Sequence, residues 1–374
     1  MTHFDIEKFQ PKAWQILSRS FKNNRVASTY LFHGPEGCGR WALAISFAAL
    51  LNCEDLQAGG GSHAAPCGKC GYCYRILSLN FEGLYFALPL SPHKNADQAA
   101  ELTIEILKTK RAEPFSIISS SKSRNIPIDT AREIRRSLSL RSSHDITRVA
   151  IFYEMEKMRE ASADALLKLI EEPPPRTVLI LISRRPEALL PTIQSRSQKI
   201  RINRVPKEAA VEYLQSAYDL SDSRAKLLSR ISDYSPGRAI ELINEQGDAT
   251  ERGVGLLLFK SLLEESPYQT VSHINEMLDL RNRGEIDSLL GLWQSLLRDC
   301  VNYSVIGDEN ELINTDFTSD IKRLSGRIRG SEAAASMADD IKNTLEDLRR
   351  NSHIQGALTS LTLKLKSHIG AAAN

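Results

Sequence analysis

The sequence predicts an α/β domain of the phosphate-loop type, with a parallel sheet and an inserted metal-binding module. A small helical domain and then a larger all-α domain are expected to follow it. Three observations lead there. Short apolar runs rich in β-branched residues alternate with helical patterns over the first half of the chain, "HGPEGCGRWA" joins one such run to a helix, and beyond Lys207 strand character fades. Strands separated by helices need crossover connections, which cover both faces of a parallel sheet.

Size and composition agree with this. The 374 residues exceed the ~250–300 at which single cores stop growing, so two or three domains are expected. Their expected bounds are 1–205, 206–246 and 247–374, the last break falling near Gln246 to Arg252, where "EQGDATERG" interrupts the helical pattern. A formal charge of +2 gives no whole-chain attraction to nucleic acid or membrane. The start "MTHFDIEKFQPKAWQIL" has neither the basic end nor the continuous apolar segment of a signal peptide. No run approaches the ~18 apolar residues of a membrane helix, so a cytoplasmic location without membrane contact is expected.

The first strand is expected in "TYLFHG", followed by a helix over 41–51. Residues 91–125 look like an insertion, with a helix over 97–111 and a loose "SSSKSRN" after it. The segment "EIRRSLSLR" is basic, with Arg132, Arg135, Arg136 and Arg141 at near-helical spacing. A strand in "RVAIFYEM" leads to a helix over 159–172 whose Ala163, Leu166, Leu167 and Ile170 should face the sheet and whose Lys168 should face water. Pro173, Pro174 and Pro175 stop that helix before the strand "TVLILIS". Near the end, Ile354, Leu358, Leu361 and Leu365 form one helical face, read either as a surface for a partner or as internal packing.

Gly34, Gly37 and Gly39 lie between strand and helix, the context that gives a Gly-x4-Gly loop its meaning. Backbone N–H groups there can cradle phosphate without side chains. Turnover needs more: a lysine after the last glycine, a neighbouring Ser or Thr on Mg²⁺, and an aspartate at the end of a second strand. Those positions hold Arg40, Trp41 and Tyr153. Arginine is not interchangeable with lysine at a tight site, and tryptophan offers a hard cation no oxygen. The expectation is no ATP turnover, with nucleotide binding itself open. The alternative is that Arg40 and Glu154, or Glu156, take over the missing roles.

Cys53, Cys67, Cys70 and Cys73, in "NCEDLQAGGGSHAAPCGKCGYC", offer four thiolates at metal-ligand spacing. A closed set of four points to structural Zn²⁺, with His63 a possible substitute and Cys38 and Cys300 ordinary buried residues. No paired carboxylates suit two-metal nucleotidyl transfer.

Taken together, "RVASTYLFHGPEGCGRWALA", the cysteine cluster, "IDTAREIRRSLSLRSSHDITRVAIFYEMEKM", "ASADALLKLIEEPPPRTVLILIS" and "LLPTIQSR" resemble the bacterial AAA+ clamp-loader family of DNA polymerase III. The weaker "DYSPGRAIEL" and "LRRNSHIQGALTSLTLKLK" extend the resemblance toward the C-terminus. It implies an AAA+ domain, a lid and a collar through which subunits associate. It also implies partners: gamma/tau- and delta-type subunits, and through them a sliding clamp and primed DNA. The altered loop fits a member that does not hydrolyse ATP, braces the ring and completes a neighbour's site. On the motif Ser195-Arg196-Ser197, where the family has Ser-Arg-Cys, the resemblance makes Arg196 a finger reaching ATP on the adjacent subunit. An ordinary surface arginine paired with an acidic neighbour is the simpler reading. The resemblance also places Ser183 as a γ-phosphate sensor and Arg238 as a lid arginine; the other readings are a strand cap for Ser183 and a solvated arginine at a Pro236-Gly237 helix-entry turn for Arg238. Two other readings remain: an active tau/gamma-type ATPase, and a zinc-stabilised AAA+ scaffold outside replication.

Overall fold

The computed structural model describes residues 6–370 apart from 59–63, 94, 119–123, 140–144, 159, 245–247, 279–282, 329 and 350–351. It forms two compact units, Met1–Asp222 with Ser232–Glu241, and Ser223–Ile231 with Leu242–Asn374.

The first unit is built on a parallel sheet of five strands, β1 (Thr29–His33), β2 (Leu84–Ala87), β3 (Arg148–Tyr153), β4 (Thr177–Ser183) and β5 (Gln198–Arg201), in the order β2-β3-β4-β1-β5. Leu31 of β1 pairs with Leu181 of β4 on one side and Lys199 of β5 on the other. Strands β3 and β4 are buried along their whole length, which is why they read as unbroken apolar runs. Alternate residues feed two cores. Tyr30, Phe32, Ile151, Tyr153, Ile180 and Ile182 face one, with the helix Arg40–Asn52; Leu31, Phe152 and Leu181 face the other. On that second face lie Ala131, Ile134 and Leu138 of the helix Ile128–Ser139, and Leu166, Leu169 and Ile170 of the helix Glu160–Glu171.

Two details differ from the sequence reading. Leu169, not Leu167, completes the buried face beside Leu166 and Ile170; Leu167 is half-buried and Lys168 exposed, while the side chain of Ala163 lies outside the described residues. Strand β2, inside "FEGLYFALPL", was not foreseen: four residues at the edge of a sheet carry little periodic signal. The insertion helix runs from Ala96 to Ala112, and Asn95 caps it by accepting from the Gln98 amide at 3.0 Å.

The second unit is helical, and its core gathers Phe259, Leu262, Trp293, Leu296, Ile321 and Ile341. The Asp299 carboxylate is fully buried and accepts from the Ile313 amide at 2.9 Å and from the Asn314 amide and side chain at 2.8 Å each, tying the following loop to its helix. Leu358, Leu361 and Leu365 of the helix Ile354–Gly370 are buried in this core. That corrects the reading of this stripe as a partner surface; internal packing accounts for it. Among the described residues no helix is long and apolar enough to cross a membrane.

Candidate functional site

Strand β1, one in from the edge of the sheet, ends at His33 with β4 on one side and the edge strand β5 on the other. In open α/β sheets a ligand crevice lies beyond the carboxyl ends of such strands. The loop that follows contains Gly34, Gly37 and Gly39, and Gly39 immediately precedes the helix Arg40–Asn52. Gly39 has φ of +98° and Gly37 of +69°, a left-handed backbone that a side chain would strain. The first amides of a helix lack intrahelical partners, and Gly39 caps this one without a side chain, which leaves them as donors of the kind a phosphate cradle uses.

Two of the positions that the sequence reading compares with metal ligands carry aromatic side chains, Trp41 and Tyr153. Trp41 is buried, stacked on Phe86 with centroids 5.4 Å apart and edge-on to Tyr153 at 5.7 Å. Burial raises the Tyr153 phenol above its usual range, so it stays neutral. Arg40 is 3% exposed, and its Nη1 has no hydrogen-bond partner among the described residues. Of the nearby carboxylates Glu156 is hydrogen-bonded, whereas Glu154 Oε2 has no hydrogen-bond partner among the described residues. Glu154, in a left-handed conformation with φ of 54°, is buried 3.8 Å from Arg124. Burial lifts its carboxyl above the usual range despite the opposing charges of Arg124 and Arg184. Glu156 accepts from the Ser183 hydroxyl at 2.8 Å and from Arg184 at 3.3 Å. Burial works against the charged form of Glu156, but these bonds and the Arg184 charge outweigh it and hold its carboxyl below the usual range. Arg184 also reaches Glu36 in the phosphate loop at 2.6 Å. An arginine at the end of β4 thus ties the loop to the neighbouring strand end, a role the sequence reading missed. Its only trace in sequence is the cationic "RR" directly after an apolar strand.

The cysteine module lies in the same unit. The sulfurs of Cys53, Cys67, Cys70 and Cys73 all fall within 4.8 Å of one another. Tetrahedral ligation with Zn–S near 2.3 Å sets sulfurs about 3.8 Å apart; Cys67 and Cys73 stand at 4.0 Å. The Lys69 and Cys70 amides donate to Cys67 Sγ at 3.4 and 3.2 Å, as they would to a thiolate. Burial disfavours that thiolate, yet these bonds bring the Cys67 thiol down to about 7. The donor set fits a soft or borderline cation, and the four cysteines could hold one. His63 lies outside the described residues. Cys38 and Cys300 are buried, apart from the cluster.

The remaining sequence candidates are spread over the same unit. Arg196 follows the short helix Pro191–Ser195 and pairs with Glu171 at 3.1 Å, both side chains close to half exposed. Ser195 donates to the Thr192 carbonyl at 3.2 Å and Ser197 to the Ile193 carbonyl at 2.7 Å. Ser183, fully buried, receives the Arg185 amide at 3.1 Å. Arg238 is exposed; its amide donates to Ser235 Oγ at 3.4 Å at the entry to the helix Pro236–Asn244. Arg132, Arg135 and Arg136 are exposed on their helix, while Arg141 lies outside the described residues.

The parallel sheet, the glycine loop capping a buried helix and the all-helical second unit define the class: a phosphate-loop α/β protein with a helical C-terminal region. Residues 9–206, more than half of the chain, match the family described as DNA polymerase III, delta subunit. The chain belongs to this family, and it is a delta'-like clamp-loader subunit. It is 26% identical to the DNA polymerase III subunit delta' of Bacillus subtilis (strain 168) over 368 residues, covering 97% of this chain and 98% of that one. With the subunit delta' of Escherichia coli (strain K12) it shares 32% over 235 residues, 63% of this chain and 59% of that one. Among solved structures, a gamma subunit-related protein of Thermotoga maritima aligns with a TM-score of 0.37 at 17% identity, covering 76% of this chain and 93% of that one.

Proposed function

We propose that this chain is the non-hydrolysing brace of a DNA polymerase III clamp loader. It stands in a ring with gamma/tau- and delta-type subunits and meets the sliding clamp and primed DNA through that assembly. One observation carries the absence of turnover: both positions that would ligate Mg²⁺ are occupied by aromatic rings packed on each other, Trp41 and Tyr153, 5.7 Å apart. Of the substitutes an active tau/gamma-type motor would need, Glu156 is held by Ser183 and Arg184, and Glu154 is buried 3.8 Å from Arg124.

What the chain contributes to catalysis is then a charge lent to a neighbour. Arg196 sits at a helix end, half exposed, with Glu171 as its partner in the free subunit. On docking it exchanges this exposed carboxylate for phosphate oxygens of ATP on the adjacent subunit, where a guanidinium stabilises charge developing in phosphoryl transfer. Ser195 supports the turn that presents it. The four cysteines hold a structural Zn²⁺ that pins the connection between the helices Arg40–Asn52 and Gly71–Leu77. In this reading residues 206–246 act as lid and 247–374 as collar.

Reconstitution tests this. The chain is mixed with gamma/tau- and delta-type subunits, and clamp loading onto primed DNA is measured with and without it. Loading should require the chain, while the chain alone should release no phosphate from ATP. Loading that proceeds equally well in its absence would overturn the proposal.

A further inference from the structure

Part of the insertion folds back onto the phosphate loop. The helix Ala96–Ala112 brings in Lys110, and the turn after it brings in Phe115 and Ser116, all in the same compact unit as the loop. Phe115 is 1% exposed and lies so close to Gly39 that a Cβ there would stand 2.9 Å from its Cε1. The loop's outer side is covered too: the Gly237 amide donates to the Gly37 carbonyl at 3.0 Å, and the Ser235 hydroxyl to the Glu36 carbonyl at 2.8 Å. Gly237 is in turn pressed under the same turn, since a Cβ on it would meet the Phe115 carbonyl at 2.3 Å. Phe115 packs against Phe9 at 5.1 Å and Tyr213 at 5.0 Å, and Tyr213 donates to Glu113 at 2.8 Å. Rings and backbone of this chain thus pack directly against the glycines of the phosphate loop.

Lys110 makes the substitution chemical as well as steric. Its buried amine donates to the Ser116 carbonyl and, at 3.2 Å, to the Tyr153 hydroxyl. It lies 4.7 Å from the Tyr153 ring centroid and 5.8 Å from that of Trp41. Those rings stand at the two positions from which a working phosphate loop ligates its metal. Aromatic faces attract a cation through their quadrupole where they cannot ligate Mg²⁺.

We propose that the turn 110–116 is the resident occupant of this pocket, the Lys110 amine standing in the metal's place and Phe115 closing the phosphate loop to nucleotide. The proposal rests on the reading that the loop no longer turns ATP over, and it adds what keeps nucleotide out.

The test is a titration of the full-length chain with a fluorescent ATP analogue, with Mg²⁺ and with EDTA, in wild type, Phe115→Ala and Phe115→Leu. Wild type and Phe115→Leu should show no saturable binding. Phe115→Ala should bind at least tenfold tighter, with or without metal, and release no phosphate. A wild type that binds as tightly as Phe115→Ala overturns the proposal, as does a folded Phe115→Ala that binds no better than wild type. Should Phe115→Ala fail to fold, hydrogen exchange at the amides of Gly37, Cys38 and Gly39 in wild type decides: unchanged rates on adding ATP support the resident turn, and slowed rates overturn it. Binding by wild type without hydrolysis removes only the resident turn, whereas hydrolysis by wild type removes the non-hydrolysing reading as well.

Discussion

The Arg196 guanidinium rests 3.1 Å from the Glu171 carboxylate, and neither side chain is shielded from water. Exposed pairs of this kind are worth about 0–1 kcal/mol, so Glu171 steers the arginine without locking it. Arg196→Ala should therefore shift the unfolding free energy of the isolated chain by less than about 1 kcal/mol. In the reconstituted loader it should lower clamp-stimulated ATPase at least tenfold, a modest fraction of the roughly 10³–10⁵ that arginine fingers supply elsewhere. Glu171→Gln should leave that rate within about twofold of wild type, because it frees the finger rather than removing it. Steady-state phosphate release by the assembled loader checks both.

Replacing one cysteine of the cluster leaves three thiolates and an open position. Cys70→Ser should reduce zinc, measured by elemental analysis on freshly purified protein, from about one ion per chain to well below half of one. Chelator should lower the melting temperature of wild type but have little further effect on Cys70→Ser.

Trp41 stands where a hydroxyl would be needed for metal, but it is also packed between Phe86 and Tyr153. Trp41→Thr should therefore destabilise the chain by about 3–5 kcal/mol, the usual cost of emptying a large aromatic site in a core, without restoring ATPase. Urea unfolding monitored by far-ultraviolet circular dichroism measures the first, and phosphate release the second.

Burial pushes the Lys110 amine down to about 7, with Glu154 and Glu36 opposing that shift and Arg40 and Arg124 adding to it. The Tyr153 hydroxyl also faces it. A lysine whose folded value lies below its unfolded one makes the native state bind fewer protons between the two, so stability rises with pH in that window. Relative to Lys110→Met, wild type should gain stability between about pH 7 and pH 10, by up to about 1.4 kcal/mol per pH unit, and the difference should be flat below pH 7. Paired denaturant curves across that range test the sign, since other titrating groups are shared by the two proteins.

In the helical unit Leu361 is buried while Leu363, two residues on, is exposed. Leu361→Ala should cost about 2–5 kcal/mol and Leu363→Ala less than about 0.5 kcal/mol. Thermal unfolding of the two variants distinguishes a core stripe from a surface one.

Much of the first unit was legible because its signals are local. Strands β1, β3 and β4 announce themselves as apolar runs, the glycines of the loop sit at fixed spacing, and the cysteines carry their geometry in their intervals. What was not legible joins distant residues. Arg184 finds Glu36 across 148 positions, and Lys110 finds Tyr153 across 43. No periodicity encodes such meetings, because the sheet order brings them about. The stripe through Leu358 and Leu361 shows the complementary limit: periodicity reveals an apolar face but not what covers it.

The packing of Trp41 also bears on the lineage of this chain. An ancestor that lost only its metal ligands could regain them by single substitutions, each tolerated as it arose. Once indole and phenol have been built into the interior, the first step backward opens a void before any catalytic advantage returns. Under the proposed function, the loss of the motor would thereby behave as a ratchet, its return opposed by the chain's own hydrophobic interior.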